Sequence, residues 1–549
     1  MKKMNQDGYA LLNVILVFTI VTIAGLALLA SVVSSRHFVA YSETYTKELA
    51  EAEKTMETAT AELEHGIETI NNRISSINIQ TLPGEINRLQ SSLDAKSSKY
   101  AISIETIKDL SDANNLFLRK AVIEVPVGTS KKKSIKKTIT ISTFPDVFRH
   151  SVVTEGDLTL NGAVDIKGDL FVNRTVNISR AGKFTTTDGR GNETIYQPLT
   201  AFPSIEGNLT VKGNIGGTKY YTGIEPNFSP LQSNQNITDY FTKAPTFKDR
   251  NVSFNQFNIN QLINEKKENF YSLYNKVRNV VESGTVKNNT VINQDILFNN
   301  RLNLSSNRLT VKGDLFLLNG LNIAQGGKLT VEGNLYIYNN YGWWNPNNLT
   351  GTIELTKRNN YMYIQGNSNI KDLTFNGQMF SNGEISISDN LNMNGTMYVS
   401  ENVSIRNLSN QSGGTAVILS EGNIQVANNN VYERNIRVLD AFLYSNKDLE
   451  IYGVGSNMKI RGGIYGRNIK LNATKGETYP KDGYSNYVQN LDLSRFDSIG
   501  YLYIQKNQQN PSLKSRLQIE FKPDLILNPP VGIPTVENLQ FTEIDQKIE

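Results

Sequence analysis

Three aspartates, Asp157, Asp169 and Asp314, stand directly after a glycine in a short pattern that returns along the chain. Paired carboxylates on one strand face can divide general-acid and general-base work and cleave a glycosidic bond. The same slot is filled by Asn208, Asn214 and Asn334 in sister copies. An amide keeps the acceptor oxygen but cannot ionise, so the pattern calls for corner shaping rather than proton transfer. The 549 residues contain no cysteine, which removes thiol nucleophiles, disulfides and thiolate metal sites together. The three histidines, His37, His65 and His150, are scattered, and no Gly-rich phosphate loop, HExxH, GxSxG or EF-hand spacing is present. The residues point to a protein that is not an enzyme and uses no cofactor or metal.

Two clusters are suited to binding instead. Lys131, Lys132, Lys133, Lys136 and Lys137 fall in "GTSKKKSIKK", between the strand-like runs "LFLRKAVIEVPV" and "KTITISTF". The plain reading is a solvated hairpin tip, since no aromatic residue is interleaved. The sharper one is a contact for phosphate-bearing polymers or lipid headgroups, which salt would abolish. Trp343 and Trp344 lie in the Asn-rich "NNYGWWNPNNLTG". Exposed, they would offer a platform for a glycan or a partner protein; buried, they would cap an edge. Adjacent side chains on extended backbone point opposite ways, which predicts one of each.

The elements that position these residues begin with a repeat. "VVTEGDL" (152–158), "VDIKGDL" (164–170), "LTVKGNI" (209–215), "LTVKGDL" (309–315), "LTVEGNL" (329–335) and "ILSEGNI" (418–424) each read as a strand, a tight corner and the start of the next strand. Offsets of 12 residues (156 to 168) and 20 residues (313 to 333) suit coils that must stack to bury a face. The reading is mainly β: a parallel β-helix, or solenoid, over 150–475, with a β-sandwich as the alternative. A helical insertion over about 216–300, its helix near 257–282, would brace the solenoid. Residues 79–149 form a small α/β region with a hairpin at 115–143, and 476–549, with "NPPVGIP", an extended segment lying against another part of the protein.

The N-terminus carries the one long apolar run. No charge lies between Asp7 and Arg36, and Ala10 to Val33 would span roughly 36 Å as a helix, enough to cross a bilayer. Lys2 and Lys3 place the N-terminus inside and the bulk of the chain outside the cytoplasm. Beyond the span, Phe38, Tyr41, Tyr45, Leu49, Ala52, Met56, Ala59, Leu63, Ile67, Ile70 and Ile74 continue a helical stripe, weakened only by Gly66. This single rod over 9–78 needs a covering surface: a second rod in a coiled coil, or its own globular domain along its outer half. The balanced charge, 56 basic against 52 acidic residues, gives no bulk electrostatic argument for nucleic acid or an anionic membrane as a partner, so only local patches could bind one.

A short basic leader over 1–8, Gly8, the aromatic Tyr9 and an apolar helix running into an amphipathic one resemble the N-terminal signal of type IV pilins and type II secretion pseudopilins. The resemblance implies cleavage between Gly8 and Tyr9 by a prepilin peptidase, methylation of the new N-terminus and packing against other pilin-like subunits. It also places Asn13 at the fifth mature position, where most of that family carry a glutamate. A neutral amide cannot form the corresponding ion pair. The implied role is that of a minor subunit in a surface filament or secretion apparatus, structural or adhesive, displaying the β-helix to a glycan or other surface ligand. The alternative is a membrane-anchored surface protein whose β-helix binds or cleaves cell-wall polysaccharide.

Overall fold

The computed structural model describes all residues except 1–5, 75–80, 97, 107–116, 129–132, 188–189, 214–216, 249–256, 287, 340–343, 411–413, 428–434, 482–491, 524–527 and 537. The chain forms two compact units, one from 1–106, 118–142 and 537–549, the other from 107–117 and 143–536.

The first unit is built on α1 (Gln6–Asn71), followed by α2 (Leu82–Lys96) and the strands β1 (Ala101–Thr106), β2 (Leu118–Pro126), β3 (Ser134–Ser142) and β4 (Gln540–Ile548). The strands form one antiparallel sheet in the order β1-β2-β3-β4. Alternation along β2 and β3 buries Ala121, Ile123, Ile139 and Ile141 on one face, as a half-buried sheet requires. The stripe of α1 divides in two. Phe38 and Tyr41 are exposed, whereas Ala52, Met56, Ala59, Leu63, Ile67 and Ile70 are buried. The outer half of the rod is thus covered by its own unit, and Leu82, Ile86 and Leu93 of α2 join the same core. Gly66 marks the helix crossing: a Cβ there would lie 2.3 Å from Leu89 Cδ1.

The second unit is a β-solenoid of about 14 turns. Its coils are made of three short strands, for example Arg308–Val311, Leu315–Leu317 and Leu321–Ile323, after which Lys328–Val331 stacks in parallel on Arg308–Val311. Each strand sends its aliphatic residues inward, so Leu309, Val311, Leu315, Leu317, Leu321 and Ile323 fill one level of a continuous core. The parallel register is that of a solenoid and replaces the sandwich alternative. The 20-residue offset is one full coil, since the Gly333 N–H donates to the Gly313 carbonyl at 3.1 Å. The 12-residue offset is not: Val153 stacks on Phe171, 18 residues on, and Gly156 and Gly168 occupy different corners of the triangle.

Stacking order and chain order differ. Coils wind from Val280 up to Ala473, and the next level is formed by Val152–Thr154 and Leu158–Gly162, which pair with Ile464–Gly466 and Ile469–Ala473. The stack then continues through Leu170–Val172 and Asn208–Val211 to Thr246–Lys248. Residues expected as a lateral insertion over 216–300 therefore contain both terminal levels, at Thr246–Lys248 and Val280–Val281. Between them α3 (Ile259–Leu273) lies on the strands at 361–399. The segment 476–549, expected as extended coil, carries strands instead. Thr478–Pro480, Phe496–Ile499 and Leu502–Gln505 form a small antiparallel sheet, and Leu517–Glu520 is a solenoid strand. Period-2 alternation over only four residues is too short to read against the surrounding polar sequence.

Candidate functional sites

Gly8 and Tyr9 lie in the first turns of α1, and Asn13 follows on its exposed surface. From Leu11 to Val33 the large apolar side chains are exposed, Phe18 at 72%. Among the described residues α1 is the one helix long and apolar enough to cross a membrane. The Thr19 hydroxyl donates to the Ile15 carbonyl at 2.7 Å and the Thr22 hydroxyl to the Phe18 carbonyl at 2.8 Å. These back-bonds satisfy two hydroxyls inside the helix, as an apolar surround demands.

The lysines do not act as one cluster. Lys131 and Lys132 lie outside the described residues. Lys133 sits over the Tyr45 ring of α1 at 4.7 Å. Lys136 and Lys137 belong to β3 rather than to the turn. The Lys136 ammonium is 2.7 Å from Glu549, and that of Lys137, buried, is 2.8 Å from Glu543 and 3.6 Å from Glu57. Hydrogen bonding to Glu549, ahead of the charges of Glu124 and Glu549, raises the Lys136 pKa. Both charges are therefore matched within the sheet and its helix, which withdraws them from an anion contact. The missed signal was β4, whose acidic side chains lie 400 residues away in sequence.

The corner aspartates hold the solenoid together. Asp295 Oδ1 accepts the Asp314 N–H at 2.8 Å, Asp314 Oδ1 the Asn334 N–H at 2.7 Å, and Asn334 Oδ1 the Tyr361 N–H at 3.2 Å. Asp169 Oδ1 accepts from the Asn208 N–H at 2.9 Å, and Asp157 Oδ1 from the Thr175 hydroxyl at 2.6 Å. One side-chain oxygen per level captures the corner amide of the next, which is why Asp and Asn alternate freely. At Gly313 and Gly333 the preceding glycine is needed for space, whereas Gly168 and Gly207 also hold positive φ angles, +125° and +152°. A Cβ at Gly333 would lie 2.3 Å from Asp314 Oδ1, and one at Gly313 2.2 Å from Asp295 Oδ1. Burial raises the Asp314 carboxyl above its ordinary value; the Asn334 N–H opposes this and the Asp295 charge adds to it.

His37 and His65 lie on α1, while His150 is half-buried with Nδ1 3.3 Å from the Asp146 carbonyl. Burial holds the His150 imidazole below its ordinary pKa. Among the described residues no group of His, Asp and Glu has a metal-binding arrangement. Trp343 lies outside the described residues; Trp344 is 70% exposed. Its loop is pinned by the Arg301 guanidinium, which donates to the carbonyls of Asn345 and Pro346, both at 2.8 Å.

Outward positions on one solenoid side form an aromatic column. Phe316 stacks on Tyr336, Phe380 on Tyr398 and Tyr444 on Tyr465, with centroids 4.8, 4.8 and 4.2 Å apart. Phe270 of α3 covers part of it, 5.4 Å from Tyr338 and 6.0 Å from Tyr336. The tail covers another part, with the Tyr398 hydroxyl donating to the Gly532 carbonyl at 2.6 Å.

No family model matches the chain, and no curated protein matches it. Among solved structures, the competence-associated pilin ComZ from Thermus thermophilus is similar over 82% of this chain and 83% of that one, at 10% identity and a TM-score of 0.18.

Proposed function

We propose that the chain is a minor pilin-like subunit that joins a surface filament or secretion pseudopilus through α1 and displays the solenoid as a non-enzymatic binding or structural head. One observation carries this reading. A single helix is buried in its own unit from Ala52 onward and leaves Leu11–Val33 apolar and uncovered. That half requires a bilayer before assembly and other apolar helices after it. Prepilin peptidase would cut between Gly8 and Tyr9, and Asn13, neutral in hydrocarbon, suits a subunit that does not depend on the ion pair of a major pilin. Of the alternative, a membrane-anchored surface protein whose β-helix binds or cleaves cell-wall polysaccharide, the cleaving half gains little support, because Asp157, Asp169 and Asp314 spend an oxygen on solenoid hydrogen bonds.

The test is the N-terminal residue and its mass on protein from the native envelope, with and without prepilin peptidase. A methylated Tyr9 terminus that disappears without the peptidase, or in Gly8→Ala, is expected. A chain that keeps Met1 in both backgrounds would reduce α1 to a plain anchor and overturn the proposal.

A further inference from the structure

Where the C-terminal segment meets the solenoid there is a cavity of about 620 Å³, with Asn457, Glu477, Thr478, Arg495, Lys514 and Arg516 in its wall. Arg516 is 3% exposed and its backbone is fixed at both ends, the N–H donating to the Thr474 carbonyl at 3.0 Å and the carbonyl accepting from the Met458 N–H at 2.9 Å. Its Nη1 donates to the Gly476 carbonyl at 3.1 Å, while among the described residues Nε and Nη2 have no hydrogen-bond partner. The buried hydroxyl of Thr478 is unpartnered as well. A buried guanidinium edge without an acceptor is expensive, and native structures rarely leave one empty without a reason.

The same molecule shows what that edge is built to hold. Arg461 uses Nε and Nη2 to grip the two oxygens of Asp440 at 2.7 and 2.9 Å. In Arg516 the identical pair of donors is buried and unpartnered among the described residues, on a residue that lines the cavity. Arg495 and Lys514, both exposed, add two positive charges to the wall against the single carboxylate of Glu477. Burial pushes the Arg516 pKa down to about 10, with Tyr479 and Glu477 pulling it back up, so it stays charged at neutral pH.

We infer that this cavity is an oxyanion site: the Nε/Nη2 edge of Arg516 takes the carboxylate or phosphate group of a small solute bidentately, with Lys514 and Arg495 steering it in. A planar fork of two parallel donors selects a group with two oxygens at the matching spacing, which a neutral sugar does not present. The inference is independent of the filament reading, because it concerns the solenoid alone.

The test uses the full chain in detergent and titration calorimetry with D-glucuronate, inorganic phosphate and D-glucose. Saturable binding of glucuronate or phosphate but not of glucose is expected, and whichever anion binds identifies the source of the oxyanion. Arg516→Gln should weaken it roughly tenfold or more. If that variant does not fold, Lys514→Ala, at an exposed site, should weaken binding roughly threefold and flatten its salt dependence. Three results would overturn the site: no saturable heat with either anion up to about 10 mM, glucose bound as well as glucuronate, or wild-type affinity in every folded variant.

Discussion

Val153 and Tyr465 sit side by side in parallel register although 312 positions separate them. The first coil of the solenoid is laid on its last, so the strand that begins the domain lies in the interior of the stack. At that junction two sides of the new level come from Val152–Thr154 and Leu158–Gly162. The third is supplied by Leu517–Glu520, which pairs with Met458–Arg461 below and Asp165–Lys167 above. Two separate stretches of chain, 152–162 and 517–520, thus complete a single coil. Because long-range pairings must close large loops before they are rewarded, this level should form late in folding.

Glu225 clasps that junction. Its carboxylate accepts from Asn161 in the first coil at 2.8 Å, from Lys470 in the last at 3.0 Å, and from Lys183 at 2.8 Å. Burial pushes its pKa up, but hydrogen bonds from Lys183, Lys470 and Asn161 outweigh this and hold it below 4.5. A depressed carboxyl contributes stability above its unfolded pKa and loses it as pH falls through the folded value. Glu225→Gln should therefore cost about 2 kcal/mol near neutrality, with wild type and variant converging as pH falls through the lowered folded pKa. Urea unfolding of both at several pH values measures it, and a gap that stays constant with pH would refute the clasp.

Asp314 behaves with the opposite sign. Its carboxyl is raised by burial, so the folded state favours the protonated form and ionisation becomes a penalty as pH rises past the folded pKa. Asp314→Asn keeps the oxygen that accepts the Asn334 N–H and removes the charge facing Asp295. It should match wild type near pH 3 and equal or exceed it at pH 7, whereas Asp314→Ala should lose about 1–2 kcal/mol at both. Thermal unfolding of the three proteins decides it; an Asn variant as damaged as the Ala variant would mean that charge, not the acceptor oxygen, matters at the corner.

The corners show how much was legible in the sequence. Gly-Asp and Gly-Asn, with alternating aliphatics around them, revealed the solenoid, and Asp–Asn exchange revealed that the carboxylates were shaping it. The reason for the glycine was not legible, because its constraint is an atom of the neighbouring coil, about 20 residues back. The helical stripe from Ala52 to Ile70 was visible as periodicity, but not the sheet that covers it, whose last strand comes from residues 540–548. Lys136 and Lys137 read as a charged turn for the same reason: Glu543 and Glu549 are neighbours only after folding. Arg516 gave no signal, since an unpartnered buried donor is a property of packing.

Gly66 tests the packing of α1. Exchanging glycine for alanine within a helix ordinarily stabilises it by about 0.5–1 kcal/mol. Here the new methyl would strike Leu89 of α2, and overpacking costs about 1–3 kcal/mol. Gly66→Ala should therefore be neutral or destabilising, and Gly66→Ala combined with Leu89→Ala should be more stable than the sum of the two single changes. A double-mutant cycle by denaturant unfolding gives the coupling; additive energies would mean that α2 does not lie against Gly66.

Phe270 fastens α3 to the aromatic column. It is 2% exposed and approaches Tyr338, Tyr336 and Phe316 at 5.4, 6.0 and 6.2 Å. The rest of the helix is held by the buried Ile259 and Ile263, by the Asn269 amide donating to the Tyr361 hydroxyl at 3.2 Å, by the Asn258 cap on the Gln261 N–H at 3.0 Å and by Lys266 over the rings of Tyr361 and Phe380. Phe270→Ala should remove about 3–4 kcal/mol of local stability, the largest single contribution to the seating of α3. Amides of 259–273 should then exchange far faster while those of the coils beneath keep their protection, because the backbone ladder of these coils pairs one coil with the next. Hydrogen exchange resolved along the chain makes the comparison. Equal acceleration in α3 and in the strands at 361–399 would show the opposite, that α3 is an integral part of the solenoid and that the coils depend on it for their own stability.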